Sequence, residues 1–357
     1  MQNAHTCTFA QPVGEATRDV PAPSRHNDIN SHTTCTPLRP QVFARFLASH
    51  PNEAFVSRLI HSLTNGFDIG YVGPHTQLTA PNLPSAYQYP SVVDEALQKE
   101  IAEHRLAGPY SAPPFNNLHC SGIGVVPKKD GGWRLIYHLS APSGHSINDF
   151  INKDEFSLQY KTVDDAIRMC QTLGPGALMA KVDLKNAFRL CPVRREDWHL
   201  LGIHWRHQYY IDKCLPFGLK SAPYLFNLVA DAIEWILMHY FGVEHCFHYL
   251  DDFFLAGPPM STSCARSLQD MLLLCEAVQA PVKPEKVLGP STTLPFLGIL
   301  LDSQKGEARL PEDKLAALKQ ELDEFHSLAI THKQCSKRQL LSLIGKLAFA
   351  CKVIPAG

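Results

Sequence analysis

An α+β fold built on an antiparallel sheet with split βαβ connectivity is what this sequence predicts, and three observations carry it. The run Ala177-Leu178-Met179-Ala180-Lys181-Val182-Asp183 has the make-up of a buried strand that ends on an acid. Leu225, Leu228, Val229, Ile233, Ile236, Leu237 and Tyr240 recur at helical spacing. A second apolar run, residues 246–256, is interrupted by Asp251-Asp252 as a strand hairpin would be. An amphipathic helix through Leu268, Met271, Leu272 and Cys275 follows it, then a strand over 294–301. Strand, helix, hairpin, helix, strand in that order predicts an antiparallel sheet with helices on one face.

Taken from the N-terminus, residues 1–38 mix Pro, Ser, Thr, His, Asn and Asp with no hydrophobic period, and a segment that cannot bury apolar surface is expected to be disordered. Residues 39–114 read as a helical extension. Its first two helices are marked by Val42, Phe43 and Phe46, and by Phe55, Leu59, Ile60 and Leu63. A third is opened by Ser91 with Asp94 three residues on, a capping-box spacing. Gly108, Pro109, Pro113 and Pro114 predict a loop at its end. The β-rich runs 122–127 and 133–139 are joined by Lys128-Lys129-Asp130-Gly131-Gly132, a tight hairpin turn with lysines at its tip and Arg134 just behind. Residues 203–211 alternate as a further strand pair, and Ser221 caps the long helix, with Pro223 in its first turn. Pro311 starts a helix carrying Leu315, Leu318, Leu322 and Phe325. Ser336-Lys337-Arg338-Gln339 is a capping box for the last one, with Leu340, Leu343, Ile344 and Leu347.

The 357 residues, 45% of them apolar, suffice for at least one full core. With 33 Lys plus Arg against 34 Asp plus Glu there is no global attraction for polyanions, so nucleic acid would have to be gripped by a local patch. No apolar run approaches the roughly 18–20 residues of a membrane helix, and no signal-peptide pattern opens the chain. An intracellular protein, cytoplasmic or nuclear and with no membrane partner, is expected. Eleven cysteines without a C-x-x-C pair read as free thiols of a reducing compartment. His199, His204 and His207, and His245 and His248 beside Cys246, lack recognised ligand spacing and read as half-buried structural residues.

The chemistry is concentrated in the carboxylates. Adjacent Asp251 and Asp252 in an apolar hairpin combine like-charge repulsion with desolvation, which calls for a cation. Mg²⁺ takes oxygen ligands from a few carboxylates and completes its shell with water and phosphates. Asp183 at the end of the preceding strand could join the pair at one edge of the sheet. Three carboxylates holding two such ions would suit nucleotidyl transfer.

Lys181-Val182-Asp183-Leu184-Lys185-Asn186-Ala187-Phe188, Leu215-Pro216-Phe217-Gly218-Leu219-Lys220-Ser221-Ala222-Pro223, Tyr249-Leu250-Asp251-Asp252 and Phe296-Leu297-Gly298 stand in the order and approximate spacing of motifs A, B, C and E of reverse transcriptases, and the sequence resembles that family. With Val126-Pro127-Lys128-Lys129-Asp130-Gly131 and Trp133-Arg134 as the fingers motif, the resemblance covers about residues 115–305. Several further segments resemble the reverse transcriptase of DIRS-like, tyrosine-recombinase retrotransposons, extending it to about 36–357. They are Gly108-Pro109, Pro113-Pro114-Phe115-Asn116-Asn117-Leu118, Leu135-Ile136-Tyr137-His138-Leu139-Ser140, Ser146-Ile147-Asn148-Asp149 and Leu343-Ile344-Gly345-Lys346-Leu347.

The resemblance implies a right-hand polymerase: fingers over 115–175, a palm over 176–305 with a fingers insertion at about 192–212, and the start of a thumb over 306–357. It implies an enzyme that adds dNTPs to a primer on an RNA or DNA template with two Mg²⁺, for which Mn²⁺ could substitute. Asp183, Asp251 and Asp252 would be the catalytic metal ligands, joined by the Leu184 carbonyl. Lys128, Arg134 and Lys286 would act on the triphosphate. Asn186, Ala187 and Phe217 would line the nucleotide site, and Phe188 would be the gate against a ribose 2′-hydroxyl. Gly218, Tyr249, Phe296, Leu297 and Gly298 would meet template and primer. The chain ends at Pro355-Ala356-Gly357, where the resemblance leads one to expect a truncated thumb without ribonuclease H or recombinase segments. That ending keeps open an inactive remnant that only binds nucleic acid or serves as scaffold. An RNA-directed RNA polymerase would share the paired aspartates but not the gate.

Overall fold

A computed structural model of the chain describes residues 36–128, 131–332 and 335–354. In chain order the elements are helices α1 (Pro40–Phe46) and α2 (Glu53–Asn65), strand β1 (Leu78–Thr79), helices α3 (Pro84–Gln88) and α4 (Pro90–Ala102), and strands β2 (Leu106–Tyr110), β3 (His119–Cys120), β4 (Ile123–Pro127) and β5 (Trp133–Tyr137). Helix α5 (Val163–Leu173), strands β6 (Leu178–Asp183), β7 (Gly202–Trp205) and β8 (Gln208–Asp212), helix α6 (Ala222–His239), strands β9 (Cys246–Tyr249) and β10 (Asp252–Gly257) and helix α7 (Ser263–Val278) follow. Strands β11 (Leu288–Ser291), β12 (Thr293–Phe296), β13 (Ile299–Asp302) and β14 (Glu307–Arg309) precede helices α8 (Glu312–His332) and α9 (Lys337–Ala350).

The four-stranded sheet that carries the candidate chemistry has the order β11-β6-β10-β9, antiparallel throughout. Its connectivity, strand, helix α6, hairpin β9–β10, helix α7, strand, is the split βαβ layout expected. Alternation along the strands sends Ala180, Val182, Phe253 and Leu255 toward α6 and α7, in one core with Leu225, Phe226, Ile233, Leu268 and Met271. Met179, Phe254, Phe247 and Ala256 point the other way. Helices were expected on one face only, but this second face is also covered, by Val163 and Ala166 of α5 and by Leu294, Phe296, Ile299 and Leu301 of β12 and β13. A strand with apolar residues of both parities must bury both faces.

Residues 294–301 are not one strand but the hairpin β12–β13, because Leu297 (φ +46°) and Gly298 (φ +84°) adopt the left-handed pair of a two-residue turn. The sheet's fourth strand is instead β11, whose Leu288-Gly289-Pro290-Ser291 has poor strand propensity. Gly289 is required there, since its φ is +93° and a Cβ would collide with the Met179 carbonyl oxygen.

Three further expectations are corrected at element ends. Helix α4 begins at Pro90, one residue before Ser91, with no side-chain cap at Tyr89; Pro in the first turn presets φ. Asp94 instead accepts a hydrogen bond from Trp205 Nε1 at 2.7 Å. Gly108 and Pro109 lie in β2, not a loop, on the edge of the five-stranded sheet β1-β3-β7-β8-β2, where proline forfeits little pairing. Ser221 does precede α6, but its hydroxyl donates to the Ile69 carbonyl (2.7 Å) rather than capping the helix. The Ser336–Gln339 capping box forms as expected.

The segment read as disordered is ordered at its end. Leu38 is buried and Thr36 Oγ1 donates to the Leu190 carbonyl at 2.6 Å, while residues 1–35 lie outside the described residues. Among the described residues no helix is long and apolar enough to cross a membrane.

Candidate active site

Asp183 closes β6, Asp252 opens β10, and the two are direct partners across the pair, with Tyr249 of β9 opposite Asp252. Directly opposed residues share a face, so Asp183, Asp252 and Tyr249 form one row on the side away from α6 and α7. The next row on that side is Lys181, Phe254 and Phe247. Asp251 sits in the turn joining β9 to β10, after Leu250 with its left-handed φ of +54°. The Leu184 N–H donates to the Asp251 carbonyl at 2.9 Å and ties that turn to β6. The backbone of Asp183 and Lys185 pairs on the opposite side with Lys283 and Pro281, so the Leu184 carbonyl faces the Asp251 side.

Lysines answer the carboxylates. Lys283 Nζ and Lys286 Nζ hold the two oxygens of Asp183, the latter at 3.2 Å. Lys181 Nζ stands 2.8 Å from Asp252 Oδ1. Burial pushes the Asp183 pKa up, but the hydrogen bonds and charge of Lys283 and Lys286 outweigh it and hold the group below the usual carboxylate value. Asp251 is raised by burial and then by the charges of Asp183 and Asp252. Asp252 is raised as well; burial dominates, and Lys181 offsets it only in part. Asp252 Oδ1 is buried and has no well-directed hydrogen bond among the described residues. An all-oxygen donor set in which two buried carboxylates resist ionisation despite a neighbouring lysine fits a hard divalent cation. As they stand, no three His, Cys, Asp or Glu side chains among the described residues are gathered to hold a metal. Both oxygens of Asp183 are on lysines, which an ion would have to displace.

The predicted nucleotide residues gather beyond the end of β6. Asn186 (φ +72°) and Ala187 (φ +35°) turn the chain into a short 3₁₀ segment over 187–190. That turn packs the half-buried Phe188 ring against Phe217 (5.3 Å between centroids) and Phe226 (5.8 Å). The guanidinium of Arg134, on β5, lies 5.5 Å from the Phe217 centroid, so the hairpin and the four-stranded sheet meet through this stack. Lys128 is exposed at the hairpin; Lys129 and Asp130 lie outside the described residues. Lys286 reaches Asp183 rather than the Arg134 side.

The template and primer residues divide. Tyr249 is half-buried on the carboxylate face. Gly218 has a φ of +98°, its carbonyl accepts from Asn148 Nδ2 at 2.8 Å, and a Cβ would come 3.0 Å from the Tyr137 carbonyl oxygen. A glycine is therefore demanded by the protein's own backbone. The Phe296 side chain is fully buried against Phe247 and Phe254, so it supports the hairpin turn from the core. Leu297 and Gly298 form the hairpin turn, where the Gly298 carbonyl accepts from Lys314 Nζ at 3.0 Å.

Sequence reasoning missed four contributors. Lys283 and Lys181 neutralise the aspartates; the signal for Lys283 was its spacing of three from Lys286 across the 3₁₀ turn 284–286. Tyr160 stacks on Tyr249. Arg189, buried, binds both oxygens of the buried Asp212 (2.8 and 2.7 Å) and Glu100 (2.7 Å), and reaches the carbonyls of Cys214 and Leu215. It anchors the Phe188 turn to α4, β8 and the segment leading to Phe217.

Residues 126–301 match the family model described as reverse transcriptase (RNA-dependent DNA polymerase). A curated relative is the retrovirus-related Pol polyprotein from transposon opus of Drosophila melanogaster, 23% identical over 231 residues that make up 63% of this chain and 21% of the relative. The chain thus spans about a fifth of that relative's length. Among solved structures, the foamy viral protease-reverse transcriptase in complex with double-stranded DNA aligns over 88% of this chain and 52% of its own, with a TM-score of 0.56 at 18% identity. The same enzyme with an RNA/DNA hybrid gives 0.57 at 16%, over 88% of this chain and 40% of its own. The α+β right-hand polymerase fold, with the β11-β6-β10-β9 sheet as its palm, is shared with these structures.

Proposed function

We propose, on the match of residues 126–301 to the reverse transcriptase family model, that this chain is the RNA-directed DNA polymerase of a retroelement, extending a primer with dNTPs along an RNA or DNA template. The observation that carries this reading is the row of Asp183 and Asp252 with Asp251 in the adjoining turn. Burial and mutual charge leave Asp251 and Asp252 above the usual carboxylate range even with Lys181 and Lys283 nearby, which suits a site that takes a divalent cation. The motifs outside the carboxylate region favour the DIRS-like subtype. Residues 115–175 act as fingers, 176–305 as palm with about 192–212 inserted toward the fingers, and 306 onward as the start of the thumb.

Asp183, Asp251, Asp252 and the Leu184 carbonyl would hold two Mg²⁺ ions, or Mn²⁺ in their place. Bound there, divalent ions supply charge that favours ionisation of the primer 3′-hydroxyl and departure of pyrophosphate. The chain's own residues do the rest. Lys128, a point charge, and Arg134, a fork steadied on Phe217, orient the triphosphate. Phe188, braced by Phe217 and Phe226, presents a ring where a ribose 2′-hydroxyl would clash. Asn186 and Ala187 set the turn that aims it. Lys286, within reach of Asp183, can give a proton to the departing phosphate oxygen.

Primer extension tests the reading directly. Oligo(dT) on poly(rA) with dTTP and Mg²⁺ is to be extended by the parent chain and not by Asp251→Asn. No extension by a folded parent would overturn it.

A further inference from the structure

Tyr160 lies in the loop before α5, with its ring centroid 5.2 Å from that of Tyr249. Tyr249 is Asp252's partner in register, so it extends the row Asp183, Asp252, Tyr249 onto the edge strand β9, and the Tyr160 ring lies against it. Tyr249 rests on the core of Phe247, Phe254 and Phe296. Tyr160 is 44% exposed, which leaves part of its ring open to a ligand. Next to it Lys161 is exposed.

We propose that Tyr160 and Tyr249 together form an aromatic ledge that takes the 3′-terminal nucleotide of the primer strand, with Tyr160 in contact with that nucleotide. The inference rests on the polymerase reading of the site and adds to it a residue that no motif assigned. Three relationships favour primer over incoming nucleotide. The phosphate-binding and gating groups, Arg134, Phe217 and Phe188, stack together beside Phe226 of α6, in the core on one face of the sheet, whereas Tyr249, with Tyr160 against it, is on the edge strand β9 and packs on the core of the other face. Strand spacing puts Tyr249 about 10 Å from Asp183, a nucleotide's width away on the other side of the carboxylates. Ring contact is indifferent to base identity, as a grip on a primer end must be, and the Lys161 ammonium suits the neighbouring backbone phosphate.

The test compares Tyr160→Ala and Tyr160→Phe with the parent. Fluorescence anisotropy reads binding of a recessed-end primer-template without dNTP, and steady-state extension reads KM for primer-template, KM for dNTP and kcat. Tyr160→Ala is to weaken primer-template binding about five- to thirtyfold, raise its KM in parallel and leave the dNTP KM within twofold. Tyr160→Phe is to restore parental values, and both variants are to melt within a few degrees of the parent. Parental binding by Tyr160→Ala, or an equal rise in both KM values, would overturn the proposal. A parent that binds primer-template without extending it overturns the polymerase reading instead, and the anisotropy comparison still decides on Tyr160.

Discussion

Asp183 and Asp252 face each other directly across β6 and β10, yet their carboxyl groups are held in opposite senses. Lys283 and Lys286 take both oxygens of Asp183 and keep it ionised, whereas burial and the nearby Asp183 charge push Asp252 up against the single cation of Lys181. The row is therefore short of positive charge on its β10 side, and Asp251 in the turn shares that deficit.

Stability should follow these opposite shifts. For Asp183 the folded pKa is depressed, so its contribution is present above the unfolded value of about 3.9 and is lost as pH falls through the folded one. For Asp251 it is raised, so the ionised group costs stability at neutral pH and the cost is relieved as pH falls through the folded pKa toward the unfolded value. With divalent ions chelated, Asp251→Asn is to melt above the parent at pH 7, with a gap that narrows toward pH 4. Lys283→Met, which leaves Asp183 short of a partner, is to melt below it. Thermal melting across that pH range checks both, and a lower melting temperature for Asp251→Asn at pH 7 would contradict the account.

The gate assignment predicts a change in selectivity rather than in rate alone. Phe188 is braced by Phe217 and Phe226, so a smaller ring-free side chain opens space beside the nucleotide sugar. Phe188→Val is to lower the preference for dNTP over rNTP by at least about tenfold, read as the ratio of kcat/KM values.

Arg134 should act on the incoming nucleotide and not on the duplex. Its guanidinium is steadied on Phe217 and remains exposed. Losing a charge-assisted contact of about 1.5–3 kcal/mol, Arg134→Ala is to raise the KM for dNTP about tenfold or more. Affinity for primer-template is to change little, the mirror image of the Tyr160 effect.

The buried Arg189 cluster is structural and its loss should be severe. Removing the guanidinium strands Asp212, which is fully buried, so Arg189→Ala is to destabilise the fold by about 3–5 kcal/mol in urea unfolding. Arg189→Lys is to recover little, because one ammonium cannot replace the fork that meets Asp212 and Glu100 together.

The elements that the sequence predicts well are those with a strong period and a local stop signal. The α6 stripe has both, whereas the β6 run and the β9–β10 hairpin are marked by the aspartates that end or interrupt an apolar run, and the last helix by its Ser336 capping box. Strand β11 was missed because pairing with β6 overrides its poor local propensity, and Leu297-Gly298 hid a turn inside an apolar run. The three aspartates were legible as chemistry since a buried acidic pair needs an explanation. Lys283, Lys181 and Tyr160 were not, because each acquires its meaning from strand register and from chain that lies far off in sequence.

The most direct test of the central claim compares Asp183→Asn, Asp251→Asn and Asp252→Asn with the parent in template-directed extension with Mg²⁺, each folded protein at equal concentration. Extension by the parent is expected, with a loss of more than about a hundredfold for Asp183→Asn and Asp251→Asn and with Asp252→Asn also impaired. Parental rates from Asp183→Asn or Asp251→Asn would contradict that expectation.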